Sequence, residues 1–299
     1  MAVMCRVLGV SRAGFYAWER RAPCDRALCD AWLTEKIREI HKLSKGTYGS
    51  RRIHAELRLE HGIRVGNKRV ERLMALHGLS GSPLRPRART TVRVPGVRVA
   101  PDLVERDFNP TAPDRTWSAD ITEIPTWEGK LYLAHVQDLF SRRIVGWAMT
   151  PHMRKELVLE ALQMAVERRR PARGLIHHSD HGSQYTALLF TGRCEQAGIS
   201  VSMGSVGDCF DNAVCESFHA SLKKELIHRR PWPTRAEARS AIFEYIEGWF
   251  NPRRRHSTLG YLSPAAYEQA HLDAISGATT TLTGLTPERV DQVPSLAHP

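Results

Sequence analysis

Cysteine is scarce: the 299 residues contain 6, and no two of them form a Cys-x-x-Cys pair. A disulfide-stapled scaffold is thereby excluded, and a structural zinc site lacks its usual anchor. Cys24 and Cys29 precede His41, His54 and His61, the reverse of the order a His-His-Cys-Cys zinc module requires. Long hydrophobic runs are also missing. The longest stretches, such as Ile144 to Met149, fall far short of the roughly 18 residues that a membrane-spanning helix needs. At the amino terminus Arg6 interrupts the only apolar stretch, so no signal peptide is expected. Free thiols, no span and no leader together point to a cytoplasmic protein. Its 42% apolar and 25% charged residues suit a soluble globular chain of two domains.

Acidic residues are scarce in the first third. Residues 1–106 hold 22 basic and 10 acidic side chains, a net +12, while residues 107–299 are nearly neutral. A basic front on a neutral body suggests that the front holds a polyanion and the rest does something else. A basic amphipathic stretch with the bulky apolar face needed for a membrane surface is absent.

Along the chain, residues 1–25 read as a short helix, a turn at Gly9 and a second helix capped by Ser11, with Val3, Val7 and Leu8 on an apolar face. A three-helix DNA-binding unit needs one more helix before this pair. Either the unit is incomplete here or another polypeptide supplies the missing part. Residues 26–80 carry three helical periods. Leu28, Trp32, Leu33, Ile37 and Ile40 mark the first, Ile53, Leu57 and Leu59 the second, and Val70, Leu73, Met74 and Leu76 the third. Arg51, Arg52, Lys68 and Arg69 lie on their basic faces and are candidate DNA contacts. Residues 81–107 form a basic linker; three prolines and five arginines fall between positions 80 and 100.

From residue 108 the pattern changes. Three β-type runs (117–124, 130–139, 142–150) precede a helix at 155–169, a strand, a helix, a strand and two further helices, up to about residue 270. This order predicts an α/β domain, a mixed sheet with helices on its faces. Residues 271–299 show no period and are expected to form a loose tail.

Three carboxylates in this region stand out. Asp120 lies on the polar side of the first strand, Asp180 directly follows the strand ending His177-His178, and Glu216 opens a helix. Fifty-nine and thirty-five residues separate them. Carboxylates at strand ends and on an adjoining helix can converge on hard divalent cations, and a pair of such ions can activate a hydroxyl and stabilise a leaving 3′ oxygen. The histidines around Asp180 offer a competing zinc reading, disfavoured because they sit at a strand-to-loop junction. Lys223, two helical turns beyond Glu216, can reach a phosphate beside the site.

The wording around these acids makes the signal specific. WSADIT (117–122), HHSDHGSQY (177–185), DNAVCESFHASLKKEL (211–226) and NPRRRHSTLGYLSPAAYE (251–268) resemble the integrase core of DDE transposases, in particular the OrfB product of the insertion-sequence-3 family. Residues 47–78 resemble that family's helix-turn-helix. The resemblance implies an RNase H-like integrase core behind an all-α helix-turn-helix region, with Asp120, Asp180 and Glu216 as the metal-binding catalytic triad. It implies two Mg²⁺ ions, with Mn²⁺ as a substitute, and cleavage and strand transfer of DNA ends at terminal inverted repeats into target DNA. A homo-oligomer and a fused or partnered upstream-frame product are expected with it. Asn212 and His178 are expected to support the site, and Arg253, Arg254, Arg255 and His256 to grip DNA beside it. Two other readings remain: a DNA-binding regulator or truncated transposase product without catalysis, and a plain RNase H-type nuclease.

Overall fold

The structure, a computed structural model, describes residues 1–82, 110–179, 188–203 and 213–280. The chain divides into two compact units, Met1–Ala88 and Arg89–Pro299. The linker expected at 81–107 lies almost wholly outside the described residues.

In the first unit α1 (Ala2–Val7) and α2 (Arg12–Glu19) form the expected hairpin, with Gly9 at φ +65°. The Ser11 hydroxyl caps α2 by accepting the Gly14 N–H at 3.0 Å. The expected apolar face is not covered among the described residues: Val3, Val7 and Leu8 are exposed and Cys5 is the buried residue of α1. Helices α3 (Asp25–Leu43), α4 (Ser50–Leu59) and α5 (Asn67–Leu76) pack around Leu33, Ile37, Ile40, Ile53, Leu57, Val70 and Leu73. Four residues that the helical period placed inside are exposed: Leu28, Trp32, Leu59 and Leu76. Leu28, Leu59 and Leu76 lie near helix ends, whereas Trp32 lies inside α3 on the side away from the buried Leu33, so periodicity overran the core. Asp30 ties α3 to α5 through Arg69 at 2.7 Å and Arg72 at 2.6 Å, and these guanidiniums hold its carboxyl below the usual range.

The second unit is built on a five-stranded sheet ordered β3-β2-β1-β4-β5. β1 (Thr116–Thr126), β2 (Gly129–Asp138) and β3 (Ile144–Thr150) form an antiparallel meander. β4 (Ile176–Ser179) and β5 (Ser200–Met203) run parallel to β1, reached through α6 (Lys155–Arg169) and α7 (Leu188–Gln196). Strand alternation sends Trp117, Ala119 and Val136 to one face, where α6 and α7 cover them with Leu157, Leu162 and Phe190. Gly146 lets α6 approach the sheet directly, since a Cβ there would lie 2.2 Å from the Ala161 carbonyl oxygen.

Ile124, Leu131, Leu133 and Ile144 face the other side. There α8 (Ala213–Glu225) and α9 (Arg235–Phe243) bring Phe218, Leu222 and Ile242. The sequence predicts one helix through Trp249, but after Phe243 the chain widens into a π-helical stretch, Glu244–Phe250. The five-residue turn sets Tyr245 and Phe250 side by side, ring centroids 6.0 Å apart.

The expected loose tail is corrected at its start. Residues 271–280 continue α10 (Pro264–Thr280). This helix is anchored by Glu268, which accepts hydrogen bonds from Arg143, Arg169 and Ser141, and by Tyr267 and His271 against Phe140. Small residues in 274–280 hide the period, and tertiary contacts hold the helix instead. Residues 281–299 lie outside the described residues.

Candidate active site

Asp120 sits near the middle of β1, on the sheet face that α8 covers. Its side chain is 18% exposed, so it can meet solvent or substrate while staying anchored. Oδ1 accepts the Ile121 N–H at 2.7 Å and Oδ2 lies 3.4 Å from Nδ1 of His219. Glu216 is exposed in the first turn of α8.

Two side-chain ties seat that helix on β1. Ser118 Oγ meets Cys215 Sγ at 3.0 Å, and Asp120 meets His219. Strand residues two apart thus engage helix residues four apart, each pair lying on one face of its element. Glu216 follows Cys215 directly, so it lies one residue from that helix–strand contact.

Behind Asp120 runs a chain of imidazoles. His219 Nε2 is 3.1 Å from Nδ1 of His135, which pairs with Asp120 in the β1–β2 register. Burial pushes His135 down to about 3, against the hydrogen bond to the Asp120 backbone. Burial, then His135 and Lys223, hold His219 well below its usual range. Both rings are therefore neutral. With its proton on Nδ1, a neutral His219 donates toward Asp120 and turns Nε2 to Nδ1 of His135. That arrangement supports Asp120 from behind. His219→Ala and His219→Asn are both expected to lower the melting temperature by disturbing a buried site, but the Asn variant, which keeps a polar group beside Asp120, should retain more of the site's activity, about 10-fold more than Ala. An equal loss of activity in both variants would mean that the ring only fills space.

Strand geometry keeps His177 and His178 from sharing one zinc ion, and His181 lies outside the described residues. His177 and His178 are consecutive in β4 and point to opposite faces. His177 is buried against Phe190, 5.1 Å between centroids, and burial pushes it down to about 4. His178 lies on the α8 side, its Nδ1 3.1 Å from Ser202 Oγ. Hard oxygen donors remain: the partly exposed Asp120 and the exposed Glu216 fit a divalent cation that keeps waters. The described part of β4 ends at Ser179, in register with Ala119. Asp180 and Asn212 lie outside the described residues, and no group of three or more metal-ligating side chains occurs among the described ones.

Family models match most of this ground. An integrase core domain covers residues 110–209, a second integrase core model residues 197–264, and an HTH-like domain residues 29–87. The chain is 44% identical over 268 residues to the uncharacterised 31 kDa protein of insertion element IS600 from Shigella sonnei, spanning 90% of this chain and 98% of that one. It is 38% identical over 275 residues to transposase InsF of insertion sequence IS3A from Escherichia coli K12, spanning 90% and 94%. The chain belongs to the insertion-sequence-3 family of DDE transposases.

Such a transposase is a polynucleotidyl transferase with an RNase H-like integrase core and a helix-turn-helix region. A transposase of element IS629 from Shigella sonnei is 41% identical over 250 residues, 84% of this chain and 83% of that one. Among solved structures, the catalytic core of HTLV-2 integrase in complex with magnesium aligns at a TM-score of 0.41 and 15% identity, over 53% of this chain and 98% of that one.

The remaining expected contacts of the transposase divide. In the first unit Arg51 and Lys68 are exposed, Arg52 stacks over Tyr48 at 5.6 Å, and Arg69 is engaged by Asp30. Lys223 is half-buried on α8, close enough to His219 to act on it. The expected grip by residues 253–256 is corrected for three of its four members: Arg253 is exposed, but Arg254, Arg255 and His256 are buried. Arg254 grips the carboxylate of Glu225, Nη2 to Oε1 at 2.7 Å and Nε to Oε2 at 2.9 Å, and so holds the far end of α8. Asn251, in the same motif, donates to the Ile144 carbonyl and accepts the Ile144 N–H, both at 2.9 Å, pinning the edge strand. Sequence reasoning missed His135, Cys215, His219 and Asn251. Only the spacing Cys215–His219, on one helix face with Glu216 between them, hinted at two of them.

Proposed function

We propose that the chain catalyses cleavage and strand transfer at the ends of an insertion sequence, with Asp120, Asp180 and Glu216 as its metal-binding carboxylates. The observation that carries this reading is the seating of the Glu216 helix on the Asp120 strand by Ser118–Cys215 and Asp120–His219. Two Mg²⁺ ions, for which Mn²⁺ would substitute, supply Lewis acidity and lower the pKa of the attacking hydroxyl when bound. The carboxylates fix where that chemistry happens, His219 supports Asp120 from behind, and His178 and Asn212 support the site. Lys223 offers positive charge to the phosphodiester as its non-bridging oxygens gain negative charge. In each step the oxygen of water or of a DNA 3′-hydroxyl forms a new P–O bond while the opposite P–O bond breaks, and no protein side chain becomes phosphorylated.

The basic first unit, with Arg51, Arg52 and Lys68, holds terminal inverted repeats through their phosphates, and Arg253 adds a contact on the second unit. Two ends and a target must be handled together, which calls for a homo-oligomer, and an upstream-frame product is a further partner. The protein acts in the cytoplasm on the cell's DNA; no helix among the described residues is long and apolar enough to cross a membrane. The test is an end-cleavage assay on a duplex bearing the element's inverted repeat. Nicking in Mg²⁺ that stops on chelation supports the reading. Binding without nicking, alone or with the upstream-frame product added, would leave a DNA-binding regulator.

A further inference from the structure

The β1–β2 hairpin carries a tryptophan at its tip, Trp127, with 74% of its surface exposed. The backbone beneath it is held firmly. The Trp127 N–H donates to the Trp232 carbonyl at 3.0 Å, Arg235 donates its backbone N–H to Glu128 at 2.8 Å, and Arg235 Nε donates to the Lys130 carbonyl at 3.0 Å. A large aromatic surface is therefore presented on a rigid mount. Beside it lies a groove of about 530 Å³, lined by Trp127, Ile227, His228, Arg229, Arg230 and Trp232 among others, with no carboxylate in its lining. Glu128, next to Trp127 at the tip, accepts the Arg235 backbone N–H, and Glu123 pairs with Lys130 at 2.8 Å. Arg230 lies over the Trp232 ring, 4.2 Å from its centroid, which leaves the guanidinium edge to a further partner.

We propose that this groove is a second DNA-contact site of the catalytic unit, with phosphates on His228 and Arg230 and the Trp127 indole against a sugar or an unstacked base. A rigidly mounted, exposed aromatic face beside Arg230 and His228 offers nucleic acid both a stacking surface and partners for its phosphates. The site also has a place relative to the chemistry. Helix α8 runs alongside β1, with Cys215 at Ser118, His219 at Asp120 and the Ile227–Arg230 segment at the hairpin tip. Trp127 lies seven residues beyond Asp120, in the turn just past the end of β1, about 23 Å away at the usual strand rise. DNA entering along α8 would cross Lys223 on its way and meet the groove about six or seven nucleotides from the reacting phosphodiester.

This inference rests on the transposase reading, and its test separates the two. Trp127→Ala, Trp127→Phe and Arg230→Ala are compared with wild type for melting temperature, oligomeric state and cleavage of two end duplexes, one long and one cut back to about four base pairs on the groove side. Trp127→Ala is expected to reduce kcat/KM on the long duplex about 10-fold, with Trp127→Phe near wild type. Arg230→Ala should lower the salt dependence of binding to it by about one counterion. On the short duplex the variants and wild type should coincide. Variants that equal wild type on the long duplex overturn the groove while leaving the transposase intact. So does a loss that is the same on both duplexes, or one that tracks a broken oligomer. Wild type inert on both duplexes, even with the upstream-frame product added, would overturn the strand-transfer reading itself.

Discussion

Arg254→Ala is expected to destabilise the catalytic unit by about 3–5 kcal/mol, the usual cost of stranding one partner of a buried ion pair. The side chains of Arg254 and Glu225 are 6% and 5% exposed, and their contact is bidentate. Tyr245 donates its hydroxyl proton to the same carboxylate at 2.9 Å, and Arg254 donates to Ser221 Oγ at 3.0 Å. Without the guanidinium, the buried Glu225 carboxylate loses its bidentate charged partner, which the neutral Tyr245 hydroxyl does not replace. Against a total of about 5–15 kcal/mol for a domain, that removes a large share of the stability. Arg253→Ala, one residue away and exposed, should stay within about 0.5 kcal/mol of wild type. Urea unfolding of both variants decides the matter. An Arg254→Ala protein as stable as wild type but defective in DNA binding would return this arginine to the DNA contacts.

The second large effect concerns chemistry. Asp180→Asn is expected to lower strand cleavage by at least about 10³-fold while DNA affinity stays within a few-fold of wild type. The amide keeps the shape of the carboxylate but not the charge that a hard divalent cation requires. Binding is supplied elsewhere, by the net +12 of residues 1–106 and their phosphate contacts. The two activities should therefore separate in a single variant. Filter binding and cleavage on the same labelled duplex measure both. A collapse of affinity alongside activity would mean that Asp180 holds the fold rather than the metal.

Local signals carried most of the fold in advance. The period of α6, the Ser11 cap and the alternation around Asp120 each follow from neighbours within a turn or a strand, and the structure repeats them. What was not legible depends on partners distant in sequence. A run of three arginines and a histidine reads as a charged surface until Glu225, 29 residues before Arg254, is placed under it. His135 and His219 are 84 residues apart and become neighbours only because α8 lies over β2 as well as β1. Trp32 and Leu28 follow the helical period without a core to enter, and α10 persists where small residues erase the period. The candidate carboxylates were legible for a different reason: metal chemistry demands particular side chains in a recognisable setting, whereas packing accepts many.

The central claim is that this chain performs metal-dependent strand chemistry through the carboxylates gathered by β1 and α8. It is tested most directly by incubating wild type and Glu216→Gln side by side with Mg²⁺ and a labelled duplex carrying the element's terminal inverted repeat, and resolving the products on a denaturing gel. Glu216 is exposed at the start of α8, so glutamine there should leave folding and DNA binding intact. The expected result is nicked and joined strands with wild type, and only intact substrate, still bound, with the variant. Equal product from both proteins would contradict the claim.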